Sequence, residues 1–173
     1  MSCLMSNTSA TSAISSDRRN VAYIAIALAV LFVAIGSVVG FLTGPGSDGW
    51  YAGLRKSELT PPGWLFGVVW PILYALIGVS TALIWVERAR PVARAALGIM
   101  VLQLLLNYCW SFIFFALHRI VLGFWWIVLL DLWVVVLIML AWRVRRTAAV
   151  LILPYAAWLA FATYLAGTIA ANN

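Results

Sequence analysis

Five long apolar runs, separated by short polar or basic stretches, organise the 173-residue chain. The first, residues 21–42, has 22 residues and no charge, close to the roughly 20 residues a helix needs to cross a bilayer. Further runs occupy about 63–86, 95–117, 120–142 and 147–171. Before them, residues 1–20 are rich in Ser, Thr and Asn and have no apolar period, and they read as a disordered polar tail. The run at 21–42 is longer than a signal-peptide core and lacks a small-residue cleavage pattern, so it reads as a retained first span. Gly44-Pro45-Gly46 breaks that helix, and a polar loop at 43–62 ends in Pro61-Pro62. The remaining connections are short, which predicts antiparallel sequential neighbours in one all-α bundle of five transmembrane helices.

Composition removes the alternatives. Hydrophobic residues make up 65% of the chain and charged residues 9%, against about 25% charged in an ordinary soluble domain. Mean hydropathy is +1.05. So much apolar surface in so short a chain excludes a water-soluble bundle. The net charge of +6 does not point to nucleic acid, because the arginines lie at the ends of the runs and form no basic face. If the membrane is an inner or plasma membrane, their distribution predicts topology. Arg18, Arg19, Arg88, Arg90, Arg94, Arg143, Arg145 and Arg146 fall on one side, and only Arg55, Lys56 and Arg119 on the other. Eight against three places the N-terminus in the cytoplasm and the 43–62 loop outside. Cys3 and Cys109 form no metal or redox motif, and Cys109 reads as a small apolar residue in lipid or core.

Helical spacing then identifies inward faces. Trp70 and Tyr74 are four apart and stack on one side of the second span. Gln103, Asn107, Trp110 and Phe114 form one stripe on the third span, and Tyr155, Trp158 and Ala162 an equivalent stripe on the fifth. An unpaired amide is costly in hydrocarbon, so Gln103 and Asn107 turn their stripe inward. Two readings stay open on spacing alone: the aromatics pack the bundle, or they line a cavity for a flat lipophilic ligand. Trp50, Trp85 and Trp142 lie near span ends, where tryptophan favours the membrane interface. Asp131, the one carboxylate deep in a span, reads as protonated or hydrogen-bonded to a neighbouring helix, with an intramembrane functional role as its rival. His118, at a span end beside Arg119, reads as a solvated loop residue, with a haem ligand as its rival. Gly36 with Gly40, and Gly63 with Gly67, form two Gly-x-x-x-Gly pairs, which allow close approach within the bundle or across a homodimer.

The stretch WYAGLRKSELTPPGWLFGVVWPILYALIG from Trp50 to Gly78, QLLLNYCWSFIFF from Gln103, and PYAAWLAFATYL from Pro154 together resemble the TspO/MBR family (translocator protein, tryptophan-rich sensory protein, peripheral-type benzodiazepine receptor). The resemblance covers about residues 21–173. Ser57 stands where that family usually has Pro, Ala166 where it often has Asn, and no Lys or Arg follows Tyr164 to complete a sterol motif. The resemblance implies a membrane receptor or transporter-like protein in tetrapyrrole homeostasis or stress response. It would bind porphyrins and other lipophilic molecules in an intramembrane pocket lidded by the 43–62 loop. The implied ligand-binding residues are Tyr51, Trp70, Tyr74, Asn107, Trp110, Trp158 and Ala162, with no metal and no required cofactor. It also implies an alternative, in which Trp70 and Trp158 support light- and oxygen-dependent porphyrin degradation. No triad, metal cluster, P-loop or carboxylate pair indicates conventional enzymology.

Overall fold

Lipid-facing hydropathy fixes the elements, and side-chain size fixes how they lean on one another. The computed structural model describes residues 2–44 and 49–173, with side chains described from Arg19 onward. Helix α1 spans Ser2–Thr43, the short α2 spans Trp50–Gly53, α3 Gly63–Trp85, α4 Pro91–Ser111, α5 Ile120–Val144 and α6 Arg146–Asn172. A π turn, Phe112–Ala116, closes α4. Five segments are long and apolar enough to cross a membrane: Arg19–Thr43, Gly63–Trp85, Pro91–Ala116, Ile120–Val144 and Arg146–Asn172. Large apolar side chains such as Val30, Phe41, Val121, Trp125 and Leu132 stand exposed along their outer faces. Lipid is the solvent that covers such a surface, so the chain is an integral, multi-pass membrane protein.

Several boundaries differ from the sequence reading for local reasons. The backbone is helical from Ser2, where a disordered tail was expected; extending a formed helix adds a hydrogen bond for each residue fixed. Pro91 begins α4 four residues early, because its fixed φ and missing N–H suit the first helical turn. Pro45 and Gly46 of the expected helix break lie outside the described residues.

Three of the four sequential span pairs pack closely, as short connections predict, and α3 packs on α6 more closely than on α4. The contacts of α1 are mainly with α3, those of α3 with α1 and α6, and those of α5 with α6 and α4. The short α3–α4 connection joins helices that meet only sparsely, which corrects the expectation that all sequential spans are close neighbours. At the Arg-rich end, Ala93, Ala96, Ala141, Ala148 and Ala149 are fully buried. Such small side chains let helices approach closely. There the Ser80 hydroxyl donates to the Ala148 carbonyl at 2.9 Å, and the Arg90 guanidinium donates to the Arg143 and Val144 carbonyls at 3.0 and 3.2 Å. At the opposite end α1, α3 and α4 separate, and the loop carrying α2 closes over the gap.

Candidate functional site

The gap is a cavity of about 830 Å³. Its walls come from α1 (Gly36, Ser37, Gly40, Thr43), α3 (Phe66, Gly67, Trp70, Pro71, Tyr74), the end of α4 (Trp110, Ser111, Phe115) and Ala162 of α6. Lid residues Tyr51, Ala52, Lys56, Ser57, Thr60 and Pro61 complete it. Five of the seven residues expected at a binding site therefore line one space: Tyr51, Trp70, Tyr74, Trp110 and Ala162. Trp70 stacks on Tyr74 with ring centres 5.5 Å apart and an interplanar angle of 28°. Trp110 stacks on Phe114 at 5.2 Å and spends its indole N–H on the Gly123 carbonyl, 3.0 Å away. Its ring is thus fixed from behind while lining the cavity.

Asn107 and Trp158 are not on that wall. Asn107 is buried and accepts a 2.7 Å hydrogen bond from the Tyr74 hydroxyl. It holds a wall residue in place from the layer behind. The stripe carrying Gln103, Asn107, Trp110 and Phe114 is buried along its length, as the cost of an unpaired amide requires, although Gln103 Oε1 and Asn107 Nδ2 have no partner among the described residues. Trp158 packs edge-on to Phe66, 5.6 Å between ring centres, and of the two only Phe66 lines the cavity.

The glycine pairs behave differently from close-packing motifs. A Cβ at Gly40, Gly63 or Gly67 would meet no atom within 4 Å; Gly40, Gly63 and Gly67 line the cavity. Only Gly36 is packed, with the Tyr74 ring lying where its Cβ would be. The tight α1–α3 crossing sits instead at Gly78, whose Cβ would stand 2.5 Å from the backbone of Ala29.

The lid is held by specific contacts. Trp50 stacks on His118 at 4.1 Å and meets Phe114 edge-on at 5.9 Å. His118 is exposed in the loop after the π turn, as expected, and its imidazole also supports the lid through Trp50. The π turn brings both Phe114 and Phe115 toward the lid, and Tyr51 meets Phe115 edge-on at 5.4 Å. An i+5 turn shifts side-chain direction where α-helical spacing offers no clue. Burial pushes the Tyr51 phenol up, so it is neutral at pH 7. The Arg55 N–H donates to Asn173 Oδ1 at 3.0 Å, and Asn173 Nδ2 donates to the Arg55 carbonyl at 3.1 Å. Ser57 Oγ and the Tyr164 hydroxyl are 3.1 Å apart, a bond that proline at position 57 could not make.

Elsewhere, the Thr163 hydroxyl donates to Asp131 Oδ2 at 2.7 Å, giving the intramembrane carboxylate its partner on α6. Cys109 is exposed on the lipid side. Among the described residues, no cluster of His, Cys, Asp and Glu could hold a metal ion.

The sequence profile of the TspO/MBR family matches residues 26–171. The chain belongs to the TspO/MBR family. It is 38% identical to the tryptophan-rich protein TspO of Archaeoglobus fulgidus over 82% of this chain and 90% of that protein. Identity to the human translocator protein is 39%, over 76% of this chain and 80% of the relative. Protein CrtK of Rhodobacter capsulatus is 35% identical over 78% and 84% of the two chains. This TspO/MBR chain thus shares its sequence with relatives along nearly the whole bundle, including every span that builds the cavity.

Proposed function

We propose that the protein binds porphyrins and other flat lipophilic molecules beneath its lid, as a receptor or carrier in tetrapyrrole homeostasis or stress response. The supporting observation is the cavity itself. Its volume falls within the roughly 300–1,000 Å³ range of small-molecule sites, and five aromatic residues of the spans, Phe66, Trp70, Tyr74, Trp110 and Phe115, line it. Aromatic faces favour offset stacking on a planar conjugated ring. Polar groups are few and sit toward the lid, an arrangement that orients an otherwise apolar ligand. The bilayer is the route by which such a molecule arrives, and the translocator name of the human relative is the link to the carrier reading.

Photochemical degradation is the second reading, and geometry makes it the weaker one. Trp70 lines the cavity, while Trp158 stands behind Phe66, so only one of the two indoles is placed to touch a ligand.

The binding test uses Ala162, a buried, small wall residue. Ala162→Phe extends a ring into the cavity. Titration with protoporphyrin IX, followed by quenching of tryptophan fluorescence, is expected to show affinity at least about tenfold weaker, one unit of about 1.4 kcal/mol, with thermal unfolding retained. Unchanged affinity in a folded variant refutes the site.

A further inference from the structure

Among the described residues, Lys56 is the one charged side chain lining the cavity, and its surroundings are unusual for a lysine. Its Nζ donates to the carbonyls of Tyr51 at 2.7 Å and Ala52 at 3.1 Å and lies 4.8 Å from the centre of the Tyr51 ring. Among the described residues no carboxylate pairs with it; the ion pair found there joins Arg90 and Glu87 at the other end of the bundle. An ammonium has three donors, and two carbonyls take two of them. A cation half-buried beside an aromatic wall, with no counter-charge among the described residues, is an expensive arrangement.

A second observation comes from the same segment. The hydroxyl oxygen of Thr60 is buried and has no hydrogen-bond partner among the described residues, although Thr60 also lines the cavity. Buried hydroxyls are ordinarily satisfied. The lid thus offers the cavity an ammonium with an unassigned donor and an unpaired hydroxyl, four residues apart in sequence, while α3 and α4 offer aromatic faces.

Resting on the binding reading above, we propose that the lid carries a carboxylate site, with Lys56 and Thr60 receiving an acid group at the edge of a planar apolar ligand. The ligand class is therefore narrower than lipophiles in general: it is flat, aromatic and acidic. The carboxylate supplies a counter-charge that none of the described residues gives Lys56, and a charge-assisted bond to an ammonium is about twice as strong as a neutral one. The lid becomes a selecting element, because its charge meets only ligands whose acid group lies at the mouth when the ring lies against Trp70 and Trp110.

The test compares two probes of nearly identical shape, protoporphyrin IX and its dimethyl ester, on the full chain in zwitterionic nanodiscs. Affinities are measured for wild type, Lys56→Met, Lys56→Arg and Thr60→Val by fluorescence quenching. Wild type is expected to prefer the acid about tenfold or more, the range of a hydrogen bond to a charged group. Lys56→Met should bring the acid-to-ester ratio close to one, Thr60→Val should lower it partway, and Lys56→Arg should retain it. Lys56 also braces the lid, so a loss shared equally by acid and ester would assign it a structural role and overturn the carboxylate site. Equal wild-type affinities would overturn it too, while leaving the cavity reading intact. Failure of both probes to bind wild type would remove both readings together.

Discussion

Gly36→Ala and Gly40→Ala change the same motif by the same methyl group, and the structure separates their outcomes. At Gly36 the new Cβ would overlap Tyr74 Cε2 and stand 2.9 Å from Cζ. The ring cannot simply swing away. It is buried, stacked on Trp70, and tied through its hydroxyl to Asn107 at 2.7 Å. Overpacking of this kind costs about 1–3 kcal/mol. Displacing the ring also strands the Asn107 carbonyl, adding about 1–3 kcal/mol for a buried group left unpaired. Replacing a helical glycine returns about 1 kcal/mol. The balance is a destabilisation of about 1–5 kcal/mol, combining the overpacking, hydrogen-bond and propensity terms. At Gly40 no atom lies within 4 Å of the new methyl, leaving only the propensity gain of up to about 1 kcal/mol. The assay is reversible unfolding in mixed micelles, monitored by tryptophan emission, with both variants measured against wild type. A Gly36→Ala protein as stable as Gly40→Ala would refute the reasoning, since it would mean the Tyr74 ring is not held against α1.

Three further outcomes are expected. Thr163→Val removes the hydroxyl that serves Asp131 and should cost about 0.6–1.7 kcal/mol, the range of interhelical hydrogen bonds in membranes; adding Asp131→Leu should recover most of it in the same unfolding assay. Asn173→Ala abolishes the paired bonds to the Arg55 backbone and should raise amide exchange across residues 53–57 by roughly thirtyfold, given about 1 kcal/mol for each of the two lost bonds, with exchange in α5 as the unaffected control. Under illumination with protoporphyrin IX, Trp70→Phe should reduce quenching more than Trp158→Phe, because only Trp70 lines the cavity. Equal effects of the two substitutions would mean that Phe66 does not screen Trp158.

Span number, span limits and inward faces were legible because each rests on a property of individual residues. A side chain's transfer into lipid does not depend on which helix stands beside it, so the five runs and the spans at Gly63–Trp85 or Ile120–Val144 agree to within a few residues. The cost of an unpaired amide likewise turned Gln103 and Asn107 inward without knowledge of their neighbours. Glycine spacing was not decisive in the same way. A glycine marks close approach and open space equally well, and only the tertiary structure shows Gly36 against Tyr74 and Gly40 facing nothing.

Short connections made three of the four sequential span pairs neighbours, but tertiary structure alone decided that α3 packs on α6 and only sparsely on α4. All five spans are apolar over their outer surfaces, so hydropathy cannot choose among partners. The alanine cluster at one end brings α3, α4, α5 and α6 together, and the separation of α1, α3 and α4 at the other creates the cavity. That choice put Phe66 before Trp158, set Asn107 behind Tyr74, and brought Lys56 to the cavity wall, although by sequence it was one of three basic residues on the minority side. The sequence by itself determined a five-span bundle with aromatic inner faces, because lipid acts on residues one at a time. Where that bundle stays open, and which charge looks into the opening, depended on contacts between residues distant in the chain.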